Sequence, residues 1–343
     1  MSAQVVLVTG VSRYLGGRLA RALQADPTVE RVIGVDVVPP KHDLGGAEFV
    51  RADIRNPIIA KVITAAEVDT VVHMAVIATP SGAGGRTTMK EINVIGTMQL
   101  LAACQKASTV RKLVVKSSTT VYGASPKDPA LFTEEMNPRE IPRSGFAKDS
   151  VEVEGYVRGF GRRRPDVQVT MLRFANALGP AIQTPLTAYF ELPVIPTLFG
   201  FDGRLQFVHE DDVIAALGLA TRADHPGTYN IAGDGVLTLS QCVRIAGRPS
   251  VSLLSPFVSV VGGLVRRARL VDFSPEQVRF LSYGRAVDTS RMRSALGFNP
   301  AYTTRETFEE FVTSRKLRLV QPQQVQQVEK TLVSALTGGG PDA

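Results

Sequence analysis

The chain has 343 residues, of which 44% are hydrophobic and 21% are charged, and its formal net charge at pH 7 is +7. This composition is that of an ordinary globular protein with one large domain, or a large domain and a smaller appendage, and it excludes a disordered or fibrous chain. Two cysteines without partner spacing and four histidines outside any ligand cluster argue against a disulfide framework and against a bound metal, and they favour a reducing, cytoplasmic compartment.

A strand, a turn and a helix open the chain. Residues 5–8 are a run of β-branched and aliphatic side chains, typical of a parallel strand that is buried on both faces. The run ends at Gly10, and from Leu15 onward apolar residues recur at helical spacing. A turn that leads directly into a helix points free backbone N–H groups and the positive end of the helix dipole at its ligand, which favours a pyrophosphate.

A carboxylate completes this unit. The second strand, residues 32–35, ends at Asp36, twenty positions after Gly16. A carboxylate there accepts hydrogen bonds from an adenosine ribose and repels a 2′-phosphate, so NAD is predicted as the cofactor in preference to NADP. The glycine pattern departs from the usual one because Arg13 stands where the middle glycine is expected. Either this arginine keeps the backbone further from the phosphates, or its charge binds a phosphate and admits some NADP.

The alternation of strands and helices continues to residue 180. Further strands are predicted at residues 48–50, 70–72, 112–116 and 167–173, and helices at residues 58–66, 87–106 and 145–161. This alternation implies right-handed crossovers and one parallel sheet. Gly96, inside the long helix, is costly unless another group packs closely against it. Asp53 has two interpretations: it meets the adenine amino group, or it caps the helix that follows.

Beyond residue 180 the pattern loosens into a second region. Residues 1–180 are predicted to form the dinucleotide-binding domain, residues 181–320 mainly a substrate lobe, and residues 321–343 a helical or flexible tail. Strands within residues 205–213 and 228–233 are expected to return to the first domain. The lobe has predicted helices at residues 240–246, 256–267, 275–283 and 304–315.

Charge and hydropathy limit the expected partners. Aromatic residues are few and do not interleave with the basic clusters, which argues against nucleic acid and for a solvated surface or an anionic substrate. No apolar run reaches the roughly 18 residues of a membrane span, and the first strand begins too close to Met1 for a signal peptide. The apolar stretch 251–265, with Arg266, Arg267 and Arg269 at its edge, could lie on a membrane surface, but Pro256 and Gly262 interrupt it and favour a buried helix over the substrate cleft.

Taken together, short motifs along residues 5–300 resemble the extended short-chain dehydrogenase/reductase family, in the NAD-dependent sugar epimerase/dehydratase group that includes UDP-galactose 4-epimerase. The motifs are Thr9-Gly10 with Leu15-Gly16, Asp53-Ile54, His73-Met74-Ala75, residues 93–97, Ser117-Ser118 with Val121-Tyr122-Gly123, Leu172-Arg173 with Asn176 and Gly179-Pro180, Val208-His209 with Asp211-Asp212, and residues 288–300. The resemblance implies a Rossmann-type doubly wound α/β fold with a smaller C-terminal substrate lobe. It also implies a homodimer formed through the helices at residues 87–106 and 145–161.

The resemblance implies roles for individual residues. Ser118 corresponds to the catalytic serine that hydrogen-bonds the reacting hydroxyl or carbonyl, and Lys148 to the lysine that binds the nicotinamide ribose. Asn176 corresponds to the asparagine where substrate enters, and Arg204 and Arg285 lie near family arginines that bind a substrate diphosphate. The implied cofactor-binding residues are Gly10, Arg13, Leu15, Gly16, Asp36, Asp53, Ile54, Met74, Ala75, Asn93 and Lys148.

One family residue is missing. The family's acid/base is a tyrosine four residues before the lysine, and Ser144 stands at that position. A nearby ammonium can lower the pKa of a phenol towards neutrality, whereas a serine hydroxyl is far too weak an acid to replace it. Of the nearest alternatives, Tyr122 is expected to pack at a strand end and Tyr156 lies two helical turns beyond Lys148.

Three functions are compatible with this pattern. The first is an NAD(P)-dependent oxidoreductase or epimerase-like enzyme acting on a hydroxyl or carbonyl of a small molecule such as a nucleotide sugar, with Ser118, Ser144, Lys148 or a water handling the proton. The second is an NAD-binding regulatory protein without turnover. The third is a membrane-surface, lipid-handling protein that uses the stretch 251–269.

Overall fold

The protein, described from a computed structural model, is seen over residues 5–74, 77, 84–253 and 275–318. Its central sheet contains the strands β1 (Val5–Thr9), β2 (Arg31–Asp36), β3 (Glu48–Arg51), β4 (Thr70–His73), β5 (Lys112–Ser118), β6 (Gln168–Phe174) and β11 (Gly227–Ile231). All of their pairings are parallel, in the order β11-β6-β5-β4-β1-β2-β3. The prediction of one parallel, doubly wound sheet is confirmed.

Both faces of the sheet are covered by helices, which explains the uninterrupted apolar runs. Helices α1 (Tyr14–Gln24) and α7 (Glu210–Arg222) pack together on one face, and α2 (Ile58–Ala65), α4 (Thr97–Lys106) and α5 (Gly145–Arg163) pack on the other. Successive side chains of a strand point to opposite faces. In β5, for example, Val114 joins the core beneath α1, while Leu113 and Val115 join the core beneath α5.

The long helix predicted at residues 87–106 is interrupted. It consists of α3 (Arg86–Lys90), a π-helical segment (Glu91–Gly96) and then α4. Within the π segment, the Asn93 amide binds both backbone groups of Ile77, at 2.7 and 2.9 Å, and is fully buried. An added Cβ on Gly96 would lie 2.8 Å from the Ile54 side chain, so the close packing expected at this glycine is confirmed.

The second region forms a smaller lobe around an aromatic core. Its helices are α6 (Pro185–Phe190), α8 (Leu239–Ala246), α9 (Pro275–Tyr283), α10 (Ser290–Ser294) and α11 (Thr304–Ser314). Phe308 contacts Phe190 and Phe207 ring to ring at 4.9 and 5.4 Å. The remaining strands are β7 (Asn176–Leu178), β8 (Ile195–Leu198), β9 (Arg204–Leu205), β10 (Phe207–His209), β12 (Leu237–Thr238), β13 (Ser250–Leu253) and β14 (Gly284–Arg285).

Of the two strands expected to return to the first domain, only one joins the central sheet. β11 pairs with β6 from Thr170 to Phe174, as expected. The strand expected within residues 205–213 does not join the central sheet, because β11 already occupies the free edge of β6. β10 pairs instead with β7, which lies just beyond that edge, and forms a separate two-stranded sheet.

The chain after α9 returns to the loop that follows β5. Phe132 and Val287 form a parallel bridge, in which Phe132 N donates to Ala286 O at 3.0 Å and Asp288 N donates to Phe132 O at 2.9 Å. Phe132 also stacks on Tyr122, with ring centroids 4.5 Å apart. This Phe132–Val287 bridge ties the loop of residues 124–143 to the lobe.

Three predicted segments lie outside the described residues: the helix at 256–267, the basic edge at Arg266, Arg267 and Arg269, and the tail at 321–343.

Candidate active site

One cavity of about 1580 Å³ lies at the carboxyl ends of β1, β4, β5 and β6, between the sheet and the lobe. Ligands of open α/β sheets bind at this edge, and single small-molecule sites usually measure about 300–1,000 Å³. The cavity therefore has room for two ligands side by side. It brings together eight of the predicted site residues: Arg13, Leu15, Gly16, Met74, Ser118, Ser144, Asn176 and Arg285.

Two glycines shape the turn between β1 and α1. Gly10 has a φ of 77°, which favours glycine, and an added Cβ on Gly16 would lie 2.2 Å from the Gly10 carbonyl oxygen. No side chain caps α1, and its first turn contains no acidic residue. The helix N-terminus thus keeps N–H groups available for an anion.

Arg13 does not strain this turn. Its φ of −90° and ψ of 151° are extended values that any residue adopts, so the missing glycine costs no backbone energy. Its side chain lines the cavity. Burial lowers the pKa of the guanidinium, and the nearby Asp36 carboxylate opposes that shift.

Asp36 lies beside the turn, outside the cavity lining. Its carboxylate accepts hydrogen bonds from Ser12 N at 3.0 Å and Val37 N at 2.8 Å. These two bonds hold the carboxylate at the end of β2, next to the mouth of α1. The arrangement of strand, glycine turn, helix and acid predicted from the sequence is confirmed, while the contact with a ribose stays a prediction.

Asp53 is not a helix cap. Its carboxylate binds the Arg55 guanidinium at 2.6 Å, which holds the pKa of Asp53 below its usual value. The N-cap position of α2 is Pro57, which makes no side-chain cap, and Asn56 accepts from Ile58 N instead. The capping alternative is wrong. Neither Asp53 nor the buried Ile54 lines the cavity, so their contact with adenine stays a prediction.

The predicted catalytic residues do not all meet. Ser118 ends β5 and lines the cavity, where its Oγ accepts from Thr120 N at 3.2 Å. Ser144 immediately precedes α5, also lines the cavity, and donates a hydrogen bond to the Glu276 carboxylate. Lys148 is half-exposed, lies 3.8 Å from Glu152 and is not among the lining residues. The cavity therefore brings the two serines together without the Lys148 ammonium.

Of the remaining predicted residues, some line the cavity and others do not. Asn176 lines the cavity, as does Arg285, whose guanidinium binds Gly123 O at 2.6 Å and whose pKa is lowered to about 10 by burial. Arg204 instead binds Pro129 O at 3.2 Å and is not among the lining residues. Asn93 and Gly10 are not among the lining residues, and Ala75 falls outside the described residues.

None of the alternative tyrosines reaches the two serines. The Tyr122 hydroxyl is buried against Asn230 at 2.8 Å and Arg173 at 2.7 Å, so its expected packing at the strand end is confirmed. Tyr156 is 39% exposed on α5. Tyr14 lines the cavity, but at the α1 end, where its hydroxyl donates to Glu210 at 2.6 Å.

Two buried polar groups support the strand ends behind the cavity. His73 lies between the Thr9 and Thr97 hydroxyls at 3.0 and 2.8 Å, and burial, with the nearby Lys116 charge, lowers its pKa to about 4. On the α5 side, Glu154 accepts from Arg173 Nη2 at 2.7 Å and from Ser117 Oγ at 2.7 Å.

Many lining residues were not predicted from the sequence, and seven of these are charged. The cations are Arg86, Lys116, Arg139, Arg143 and Arg279, and the acids are Glu140 and Glu276. Only Lys116 carried a signal that the sequence could have shown, because a charged residue at the end of an apolar strand, two positions before Ser118, points to the same face as that serine.

The described part of the chain contains no group of three His, Cys, Asp or Glu residues that could hold a metal ion. In the same residues, none of the helices combines the length and apolarity needed to cross a membrane.

Comparisons with known proteins identify the family of the chain. The model of the NAD dependent epimerase/dehydratase family matches residues 6–232. An uncharacterized protein of Mycobacterium tuberculosis is 49% identical over 331 residues, which are 95% of this chain and 88% of that protein. Human short-chain dehydrogenase/reductase family 42E member 1 is 27% identical over 283 residues, covering 77% of this chain and 69% of the human protein.

Solved structures show the same fold. UDP-glucose 4-epimerase from Thermotoga maritima is similar with a TM-score of 0.70 and 20% identity, covering 92% of this chain and 100% of that chain. dTDP-glucose 4,6-dehydratase from Bacillus anthracis, solved with NAD, has a TM-score of 0.68 and 20% identity, covering 92% and 97%. The family model spans residues 6–232, which is more than half of the chain, and the chain therefore belongs to the NAD-dependent epimerase/dehydratase family.

Proposed function

We propose that the protein is an NAD-dependent oxidoreductase or epimerase that acts on a hydroxyl or carbonyl of a nucleotide sugar. The observation that carries this proposal is a single cavity that runs from the mouth of α1 to Ser118, Asn176 and Arg285. A hydride can pass only between groups that are held face to face, and one continuous space allows this.

The residues at the mouth of α1 fit an adenine dinucleotide. The uncapped helix end and the close approach of Gly16 to Gly10 leave space and N–H donors for a pyrophosphate, and Asp36, held beside this turn by Ser12 N, is the residue we propose for the ribose. NAD bound there would accept a hydride and return it. The protein's own part is to bind and orient the cofactor and to move a proton at the substrate oxygen.

The charge of the cavity favours an anionic substrate. Its lining contains seven cations and two acids. Two of these cations already have partners, Arg279 in the lining acid Glu140 and Arg86 in the buried Asp149. A concave wall with this excess of positive charge attracts anions. A nucleotide diphosphate matches that charge, and a relative of the same fold, UDP-glucuronic acid 4-epimerase from Bacillus cereus, was solved with UDP-glucuronic acid and NAD.

Glu276 supplies the base that Ser144 lacks. A serine hydroxyl alone cannot replace a phenol as the acid/base. The Ser144 hydroxyl donates to the Glu276 carboxylate, and both side chains line the cavity. In this proposal Ser144 takes the proton from the substrate hydroxyl as it passes its own to Glu276, while Ser118 hydrogen-bonds the same substrate oxygen.

The surface of α4 and α5 suits the dimer expected for the family. Ile95 and Met98 from the helix ending at residue 106, and Tyr156 from α5, are 43%, 37% and 39% exposed. We include a homodimer through this surface in the proposal; sedimentation of the full chain as a monomer at micromolar concentration would contradict it.

The test uses the full chain with NAD⁺ and two substrates, UDP-glucose and UDP-glucuronic acid. Titration calorimetry measures NAD⁺ binding, and NMR follows the sugar. Ser118→Ala and Glu276→Gln should each lower turnover by roughly 10²-fold or more with NAD⁺ affinity unchanged. Glu309→Gln, which removes an exposed carboxylate paired with Arg305, is the control and should leave turnover unchanged.

A regulatory protein without turnover is the second candidate, favoured by Ser144 at the tyrosine position. NAD⁺ binding without turnover, both in the native chain and in Ser144→Tyr, would support this candidate and contradict the first. Failure to bind NAD⁺ would refute both.

A further inference from the structure

Lys116 is an unusual residue for its position. It is the fifth residue of β5, on the same face as Val114 and Ser118, where the strand passes from the core beneath α1 into the cavity wall. Strands that are buried on both faces are normally apolar at such positions, whereas Lys116 is half-buried and lines the cavity.

The surroundings of Lys116 are positive. Burial, and after it the charge of Arg13, lowers the pKa of the Lys116 ammonium to about 8. Lys116 in turn lowers the pKa of His73. Like charges in a partly desolvated wall repel each other and raise the free energy of the unliganded protein, although the Asp36 carboxylate offsets part of the Arg13 charge.

The other end of the same strand shows how this chain pairs a buried lysine. Lys112 donates to the carbonyls of Thr221 and Ala223 at 3.2 and 3.0 Å and forms an ion pair with Asp224 at 2.8 Å. Among the residues that the structure describes, no carboxylate lies within ion-pair distance of Lys116. The difference indicates that the partner of Lys116 is an anion that enters the cavity.

We propose that Lys116 and Arg13 together bind the diphosphate of the dinucleotide, so that this chain holds its cofactor by two side-chain charges as well as by the turn's N–H groups. The proposal rests on the proposed function. The cofactor diphosphate is favoured over a substrate diphosphate because Arg13 belongs to the turn at the mouth of α1, whereas the lobe's own buried cation, Arg285, comes from β14.

Asp36 acts on Arg13, and two further carboxylates around β5 have partners of their own. On α7, Glu210 accepts from the Tyr14 hydroxyl and lies 3.4 Å from Arg18. On the far face, Glu154 of α5 is paired with Arg173 of β6. A bound diphosphate therefore interacts with Lys116 and Arg13 as cations, with His73 neutral, and its affinity should fall as the pH rises above about 8, where Lys116 loses its proton.

The test is titration calorimetry of the full chain with NAD⁺, ADP-ribose, inorganic pyrophosphate and adenosine. Lys116→Met should weaken the three diphosphates by about tenfold or more, flatten their decline above pH 8 and leave adenosine unchanged. Lys116→Arg should keep most of the affinity. Lys61→Met, on the exposed face of α2, is the matched control and should change nothing. Thermal unfolding checks the fold, and Lys116→Met should melt no lower than the native chain.

Each outcome decides the matter. Unchanged or tighter NAD⁺ binding in Lys116→Met overturns the inference and leaves the proposed function standing. Binding of pyrophosphate that depends on Lys116, without binding of NAD⁺ or ADP-ribose, overturns the cofactor assignment and the proposed function and leaves a substrate-phosphate site. If neither NAD⁺ nor pyrophosphate binds, both proposals fail.

Discussion

Replacing Gly16 by alanine tests the close approach in the glycine turn. The added Cβ would lie 2.2 Å from the Gly10 carbonyl oxygen, 2.8 Å from its carbon and 3.2 Å from Val11 Cα. All three atoms are backbone, so no side-chain rotation relieves the overlap, and comparable overpacking costs about 1–3 kcal/mol. In the same helical context, alanine gains about 0.5–1 kcal/mol over glycine.

Gly155→Ala provides the control, because Gly155 is also helical, in α5, and an added Cβ there meets nothing within 4 Å. It should stabilise the protein by the helical gain alone, so the two variants should differ in unfolding free energy by about 1–3 kcal/mol, the cost of the overlap. Urea unfolding with a common slope measures that difference, and NAD⁺ titration should show weaker binding in Gly16→Ala only. Equal stabilisation of both variants with unchanged NAD⁺ affinity would refute this account of the turn.

Three further predictions concern buried and charged groups. Asp36→Ala should weaken the binding of NAD⁺ and lower the ratio of NAD⁺ affinity to NADP⁺ affinity, both measured by titration. An unchanged ratio of the two affinities would show that Asp36 is not at the ribose. The pKa of His73 is about 4, below its ordinary value of 6.5, so the unfolded chain binds a proton at this residue at higher pH than the folded chain does. The free energy of unfolding should therefore fall by about 3 kcal/mol as the pH is lowered from 6.5 to 4. Urea titrations at each pH measure this fall, and His73→Gln should reduce it. Arg173→Met removes the buried partner of the Glu154 carboxylate and leaves it the half-exposed Arg158 at 3.0 Å, so it should cost up to about 3–5 kcal/mol, whereas Arg305→Met at an exposed pair should cost less than about 1 kcal/mol; equal costs would contradict the burial argument.

The parts of the fold that were predicted correctly are those with local causes. The parallel strands are apolar throughout because both faces are buried, and α9 has the same bounds as its predicted segment because Pro275 begins it and Gly284 follows it with a φ of 71°. The pairing of β10 was not predictable locally, since it depends on β11 having taken the edge of β6. The π-helical segment likewise includes a contact from Asn93 to Ile77, which lies 16 positions earlier in the chain and outside this helix.

In the site, too, the features with local causes were predicted and those that depend on distant contacts were not. The glycine turn and Asp36 are close in sequence and met as predicted, because one strand–helix–strand unit fixes both. Glu276 reaches Ser144 across 132 positions, and no local pattern indicates such a contact. The Lys148 ammonium was placed by family resemblance alone, and an exposed, flexible side chain beside Glu152 has no packing that would fix its direction.

The bridge between Phe132 and Val287 joins the outer wall of the binding space to a chain segment more than 150 positions further on. The loop that carries Arg139, Arg143 and Ser144 is thus fixed at its start. The width of the cavity at this loop should therefore be the same before and after a ligand binds. Substitutions along this loop should accordingly change which ligands this protein selects.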